Sequence, residues 1–326
     1  MPLDPGGISV ISEEPIQMSG PGVASFHKMP GGFKLHAQTW AVQKPIGAVL
    51  YLHGANAMID SKMVRRLANG LNAQQIAFVA YDHDMHGKSM GPYSRCSWCC
   101  RGNFYPAGTV GASHALEMAK IVMREQPKPL VLVGHDLGGG TLMLALESIA
   151  AHCKDKAAGQ LRGAVLLSPA NQAELSDACR LICCPLLWPM SKVCCVPLPN
   201  EEEANNFAVD GEKNLAAGCQ YFGPNCAFCL PESCGGLPGA RWWARHHANV
   251  PYTILVGTED DVYSPESQTI LRDAAPHGHL DILEGAGHAL FTDEEPSWRT
   301  NVAAVVDAAR QMLGRHARST GASGTE

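Results

Sequence analysis

A sharp turn between an apolar strand and a helix carries an acidic side chain in this sequence. The apolar run Leu130–Val133 leads into residues 134–138, Gly-His-Asp-Leu-Gly, and a helical pattern follows. This layout is typical of a nucleophile elbow, which exposes its central side chain, here Asp136, at the end of a strand. The crowded turn needs small residues two positions before and after, as glycines provide, and the helix N-terminus beside it favours an anion. We therefore predict that Asp136 is a nucleophile.

An acid and a histidine follow later in the chain, each just after a strand. The run Tyr252–Val256 leads into Gly-Thr-Glu-Asp-Asp, which contains Asp260, and the last strand leads into Gly-Ala-Gly-His, which ends in His288. Open α/β sheets place their ligands at the carboxyl ends of strands. The chain order of the three residues, which is nucleophile, then acid, then histidine, is the order that this architecture uses. The sequence therefore predicts that Asp260 orients His288 beside Asp136.

The turn after an early strand predicts an oxyanion hole. Leu52 is followed by His-Gly-Ala-Asn, so the backbone N–H of Ala55 would face the site. The N–H of Leu137, directly after the elbow residue, would supply the second donor.

The elements that must position these residues alternate along the chain. Continuous apolar strands separated by amphipathic helices predict an α/β fold, a mostly parallel sheet of about eight strands with helices on both faces. Residues 25–42 predict a hairpin around Pro30-Gly31-Gly32. The predicted strands are Ala48–Leu52, Ala77–Tyr81, Leu130–Gly134, Ala164–Leu167, Tyr252–Val256 and Leu280–Leu283. The predicted helices are Met63–Asn72, Gly111–Arg124, Thr141–Ala150, Ser267–Ala274 and Trp298–Leu313.

One long segment interrupts this alternation. Residues 171–249 are too long for a loop and hold nine of the 13 cysteines, which predicts an inserted cap or lid. The core is then divided into residues 23–170 and 250–314. Residues 1–22 and 315–326 lack periodicity and are predicted to be a flexible leader and a flexible tail.

Five motifs give the core a resemblance to a known family. They are His-Gly at 53–54, Tyr-Asp-His-Asp-Met-His-Gly-Lys-Ser at 81–89, Gly-His-Asp-Leu-Gly-Gly at 134–139, Gly-Thr-Glu-Asp-Asp at 257–261 and Gly-Ala-Gly-His at 285–288. The core resembles the monoacylglycerol lipase and serine aminopeptidase-like branch of the α/β-hydrolase superfamily. The resemblance implies a hydrolase with a catalytic triad.

The elbow departs from that branch, because the lipases carry serine where this chain has Asp136. Aspartate there is similar to epoxide hydrolases and haloalkane dehalogenases, which implies displacement at an sp³ carbon through an alkyl-enzyme ester. The further features of those enzymes are incomplete. Epoxide hydrolases use two cap tyrosines, whereas this cap holds only Tyr221, and dehalogenases have tryptophan at the position of Leu137. Asn56, Trp188 and Tyr221 are the predicted substrate contacts.

Three functions remain open from the sequence. The first is an Asp136 hydrolase acting on a small or lipid-like apolar substrate. The second is a lipase relative that has lost catalysis and binds a ligand, and the third is an esterase with an unorthodox route. The presence of both Asp260 and His288 favours an enzyme, since a binding module needs neither.

Composition limits the partners and the compartment. The 326 residues carry a formal net charge of −6 and no basic stripe, which argues against nucleic acid. The first residues show no secretory signal, so the 13 cysteines are expected to be reduced thiols in a cytoplasmic protein. The apolar cap stretch 181–198 is interpreted as a roof over the site, with peripheral membrane contact as the alternative.

No cofactor is expected. Cys96-x-x-Cys99 and Cys226-x-x-Cys229 have the spacing of zinc ligands, but in a cysteine-rich chain we interpret them as plain thiols. Asp82, His83, Asp84 and His86 form a turn that we interpret as structural, so that no metal is predicted.

Overall fold

The computed structural model describes residues 22–30, 34–54, 57–84, 86–89, 109–126, 128–156, 160–171, 196–197, 221–222, 238–247, 249–291 and 297–320. Only the backbone is described at 109–110, 155–156, 196–197, 221–222 and 315–320.

The described residues form one eight-stranded sheet. Its strands are β1 Val23–Lys28, β2 Lys34–Trp40, β3 Gly47–Leu52, β4 Ile76–Tyr81, β5 Leu130–His135, β6 Leu161–Leu167, β9 Tyr252–Gly257 and β10 Gly278–Leu283. Their order in the sheet is β1-β2-β4-β3-β5-β6-β9-β10, and only the pairs β1–β2 and β2–β4 are antiparallel. Two-residue strands, β7 Val196–Pro197 and β8 Tyr221–Phe222, pair apart from it. The predicted hairpin and the mostly parallel sheet are confirmed.

Six helices accompany the sheet in the described segments. They are α1 Lys62–Ala73, α2 Thr109–Glu125, α3 Leu137–Lys156, α4 Ala240–His246, α5 Pro265–Ala274 and α6 Trp298–Thr320. The hydroxyl of Ser61 caps α1 and that of Ser264 caps α5, where Pro265 suits the first helical position. No helix of the described segments is both long and apolar enough to cross a membrane.

Two apolar layers hold the helices to the sheet. The layer on one face contains residues of α2, α3, α4 and α5, and the layer on the other face contains residues of α1 and α6. Strands β3, β4, β5 and β9 are buried along their whole length, as expected for parallel strands covered on both faces. This core fixes the strand ends from which the functional loops emerge.

Those strand ends meet at one edge. Leu52, at the end of β3, pairs with Gly134 of β5, and Gly134 pairs with Leu166 of β6. Gly257, at the end of β9, pairs with Leu283 of β10. The loops that follow β3, β5, β9 and β10 therefore start from the same edge of the sheet.

Most of the predicted cap lies outside the described residues. Its final helix, α4, is described and packs on the core, because the fully buried ring of Trp243 lies 5.1 Å from that of Tyr252. The roof and membrane-contact interpretations of residues 181–198 remain predictions. At the other end of the chain, α6 continues to Thr320, past the predicted end at Leu313.

Candidate active site

Asp136 occupies a strained turn between β5 and α3. Its φ is 51°, in the left-handed region that costs a non-glycine residue about 1–3 kcal/mol. Backbone bonds hold it there: its N–H donates to the carbonyl of Leu167 at 3.0 Å, and its carbonyl accepts from Gly140 at 3.0 Å and Ala170 at 2.9 Å. The chain thus maintains an unfavourable conformation that presents the Asp136 side chain at the strand end, as an elbow does.

Glycines surround this turn because there is no room for a Cβ. At Gly134 a Cβ would lie 2.7 Å from the carbonyl oxygen of Gly138 and 2.8 Å from the Cα of Gly139. At Gly54 a Cβ would lie 2.8 Å from Oδ2 of Asp136. The predicted need for small residues at the elbow is confirmed, and the approach of Gly54 to the carboxylate is an additional close contact.

His288 lies between the two predicted carboxylates. Its Nδ1 is 3.1 Å from Oδ2 and 3.2 Å from Oδ1 of Asp260, and its Nε2 is 3.8 Å from Oδ1 of Asp136. An ionised carboxylate only accepts, so Nδ1 carries the proton and donates it to Asp260. In the neutral imidazole, Nε2 is then the basic nitrogen on the Asp136 side. The structure brings the three predicted residues together.

The carboxylates also set the acidity of His288. Burial lowers the pKa of His288, but the hydrogen bond to Asp260 and the charge of Asp136 outweigh burial, so its pKa lies above the ordinary value. Burial raises the pKa of Asp260, but the hydrogen bond and charge of His288 outweigh it, so that this pKa lies below the ordinary value. Asp260 therefore remains a carboxylate that stabilises the protonated imidazole.

Asp260 is itself fixed by its own loop. Its side chain is fully buried, and Oδ1 accepts backbone N–H groups of Val262 at 3.0 Å and Tyr263 at 2.9 Å. Its backbone N–H donates to Gly257 at the end of β9. These bonds hold the carboxylate toward His288.

The acid loop and the histidine loop are joined by backbone bonds. The N–H of Thr258 donates to Leu283 at 3.0 Å, and that of Glu259 donates to Ala286 at 2.9 Å. The N–H of Gly285 donates to the hydroxyl of Thr258 at 2.8 Å. The separation of Asp260 and His288 is therefore set by the scaffold as well as by their own contact.

His135 is a contact of His288 that the sequence did not indicate. Its Nε2 donates to the carbonyl of His288 at 3.1 Å, and the two ring centroids are 5.2 Å apart. Burial, helped by the neighbouring His288, lowers the pKa of His135 to about 4, so His135 is neutral at pH 7. Its hydrogen bond therefore holds the backbone of the histidine loop.

Two tyrosines near the carboxylate were also missed. The ring of Tyr263 lies 5.7 Å from that of His288, and Tyr51 of β3 is fully buried beneath the site. Burial raises the pKa of each phenol, and the charge of Asp136 raises both further. Both side chains are thus protonated and lie in the field of Asp136. Tyr51 could have been suspected from its position one residue before the end of β3.

The predicted oxyanion hole is described only in part. Leu137 is the first residue of α3, directly after Asp136, as expected, whereas Ala55 and Asn56 lie outside the described residues. The turn before them is held by His53, whose Nδ1 donates to Gly54 at 2.7 Å and whose Nε2 accepts the N–H of His83 at 3.0 Å. The roles of Ala55 and Leu137 remain predictions.

The remaining predicted substrate contacts are likewise untested. Trp188 lies outside the described residues, and Tyr221 is described only by its backbone pairing with Pro197 in β8.

The acidic turn at 82–89 has structural contacts. Asp82 accepts from Nδ1 of His36 at 2.7 Å, from the N–H of Ile59 at 2.9 Å and from the N–H of Lys88 at 3.0 Å. It ties the turn after β4 to β2 and to the segment before α1. Among the residues that the structure describes, no group of three or more His, Cys, Asp or Glu side chains is arranged to hold a metal ion.

Comparison with known proteins agrees with this architecture. The sequence profile described as "Alpha/beta hydrolase family" matches residues 49–298. No curated protein sequence matches the chain.

Similar solved structures include a soluble variant of monoglyceride lipase from Saccharomyces cerevisiae in complex with a substrate analogue. The TM-score is 0.63 at 18% identity, over 93% of this chain and 98% of that one. The monoacylglycerol lipase of Paleococcus ferrophilus has a TM-score of 0.57 at 19% identity, over 86% and 98%. Est1E of Butyrivibrio proteoclasticus with ferulic acid bound has a TM-score of 0.56 at 16% identity, over 88% and 97%. At such identities the likeness concerns the fold, which is that predicted from the sequence.

Proposed function

The chain belongs to the Alpha/beta hydrolase family, and from this premise we propose that it is a hydrolase in which Asp136 attacks an sp³ carbon of a small apolar substrate. The observation that carries the proposal is the position of Asp136 at the elbow, with His288 and Asp260 behind it. The product of attack would be an alkyl ester of Asp136. His288 would then direct water at the ester carbonyl.

Carboxylate chemistry decides the class of reaction. A carboxylate is ionised at neutral pH and needs no base before it displaces a leaving group from an sp³ carbon. Attack of Asp136 on a carboxylic ester would instead form a mixed anhydride by expelling an alkoxide. Carboxylate is a better leaving group than alkoxide, so the tetrahedral intermediate that precedes the anhydride would expel Asp136 and return to the starting ester. Epoxides and haloalkanes are therefore the substrate classes that suit Asp136.

The distance between His288 and Asp136 supports the proposal that Asp136 is the nucleophile and His288 is the base of the second step. The 3.8 Å between Nε2 and Oδ1 exceeds the range of a hydrogen bond. A serine nucleophile would have to come within that range in the substrate complex in order to lose its proton, whereas an ionised carboxylate has no proton to give. The base of an alkyl-enzyme ester must reach a water molecule, and a wider gap suits that task.

Trapping the ester tests the proposal. Formation needs only Asp136, whereas breakdown needs His288, so His288→Gln incubated with an epoxide or a haloalkane should accumulate an added mass on the peptide that contains Asp136. The double variant with Asp136→Asn is the control and should show no adduct. A His288→Gln protein that stays unmodified with both substrate classes contradicts the proposal.

A lipase-like relative that binds a ligand without turnover is the second candidate. It is favoured by the fold shared with the two monoacylglycerol lipases and by the replacement of serine at Asp136 that the family resemblance implies. Under this second proposal the cap contacts lipid-like ligands, and residues 181–198 contact the membrane surface. Ligand binding without any adduct on Asp136 would favour this second candidate.

A further inference from the structure

A tyrosine outside the predicted triad lies against its histidine. The ring centroids of Tyr263 and His288 are 5.7 Å apart with an interplanar angle of 54°. Tyr263 follows Asp260 by three residues, and its backbone N–H donates to Oδ1 of Asp260 at 2.9 Å. The loop that positions the acid therefore positions this phenol too.

The surroundings of the phenol keep it protonated. Burial raises the pKa of Tyr263, and the charges of Asp136 and of Asp260 raise it further. The imidazole of His288 faces the phenol from the histidine loop. Asp261, the residue after Asp260, is exposed to solvent. A neutral phenol beside a nucleophilic carboxylate is a proton donor that does not compete for the substrate carbon.

We propose that Tyr263 is a catalytic acid of this site and that the substrate class is therefore epoxides. The proposal rests on Asp136 being the nucleophile. A carboxylate oxygen of Asp136 forms a bond to one ring carbon, and the bond between that carbon and the ring oxygen breaks. The electron pair remains on the ring oxygen, which takes the phenolic proton of Tyr263. The products of this step are a hydroxyalkyl ester and a phenolate.

The second step restores every group. His288 takes a proton from water, and the hydroxide adds to the ester carbonyl carbon of Asp136. Collapse of this adduct expels the alkyl oxygen, which takes the proton from His288. Asp136 is left as a carboxylic acid and returns its proton to the phenolate of Tyr263. The net reaction is epoxide plus water giving a vicinal diol, with no other reactant.

The leaving group distinguishes an epoxide from a haloalkane at this site. An alkoxide is strongly basic and needs a proton as it forms, whereas a halide is too weak a base to take one from a phenol. The timing also suits an epoxide. Asp136 loses its charge when it becomes an ester, and the phenol of Tyr263 becomes more acidic at the moment the ring oxygen needs its proton.

The test compares two leaving groups on one nucleophile. In the His288→Gln background, intact mass measures the rate at which styrene oxide and phenethyl bromide alkylate the protein. Tyr263→Phe should lower the ratio of the epoxide rate to the bromide rate by about 100-fold or more, the usual range for loss of a general acid. The matched control is Tyr252→Phe, which removes a buried phenol that donates to Ala275 at 3.0 Å away from the site, and the ratio should stay unchanged.

The outcomes separate this inference from the proposed function. Adducts with both probes and an unchanged ratio in Tyr263→Phe overturn the role of Tyr263 while leaving Asp136 as the nucleophile. An equal loss with both probes assigns Tyr263 a structural role and also overturns it. No adduct with either probe overturns the proposed function together with the inference. If Tyr263→Phe fails to fold, 3,5-difluorotyrosine at position 263 keeps the ring and changes the acidity, and the ratio should still change.

Discussion

A single methyl group at Gly134 should destabilise the elbow. A Cβ there would lie 2.7 Å from a carbonyl oxygen and 2.8 and 2.9 Å from two backbone carbons of residues 138–139. Carbon atoms pack at about 3.5–4.0 Å, so the overlap is roughly 0.6 Å or more with backbone that cannot rotate away. Overpacking of this kind costs about 1–3 kcal/mol, which exceeds the ~0.5–1 kcal/mol that alanine gains over glycine. We therefore expect Gly134→Ala to lower the free energy of unfolding.

The matched control is the same substitution where the structure is open. Gly314 lies in α6, and a Cβ there would meet nothing within 4 Å. Gly314→Ala should raise the free energy of unfolding by about 0.8–1.0 kcal/mol, the difference between the two residues in a helix. Urea unfolding with unchanged slopes measures both variants. Equal stabilisation by the two substitutions would refute the crowding at the elbow.

Three further predictions concern the catalytic centre. His288 should titrate in NMR spectra above the ordinary pKa of about 6.5, and Asp136→Asn should lower this pKa because it removes a charge that raises it. Breakdown of the ester should increase as pH rises through the pKa of His288, since only neutral imidazole accepts a proton from water; a flat profile would contradict this. Asp136→Ser should give esterase activity on short-chain or monoacylglycerol esters, and adding His288→Gln should lower it about 10²–10⁴-fold; a folded, inactive Asp136→Ser protein would contradict a lipase-like site.

The sequence predicted the sheet and the triad because both depend on strong local patterns. The run Leu130–Val133 is short and continuously apolar, as a buried strand is, and the glycines that flank Asp136 suit the crowded turn of an elbow. Asp260 and His288 follow strands in the order that this fold uses. Parallel strands then place all three residues at one edge of the sheet.

The neighbours of the triad depend on loop closure, which leaves no periodic signal. Tyr263 lies against His288 only because Asp260 accepts N–H groups from its own loop and turns the chain back. In the sequence pattern His135 is simply the last residue of a strand. Its hydrogen bond to the carbonyl of His288 joins residues that are 153 positions apart. Such contacts are decided by how two loops meet, and no spacing within either loop encodes them.

The path of one oxygen atom tests the central claim most directly. In a single turnover with enzyme in excess in heavy-oxygen water, an ester of Asp136 transfers a protein oxygen to the product, and water replaces that oxygen on the carboxylate. The account predicts unlabelled first-turnover product and a labelled peptide that contains Asp136. Label that appears directly in the first-turnover product, with an unlabelled Asp136 peptide, would show that water attacks the substrate itself and would contradict Asp136 as the nucleophile.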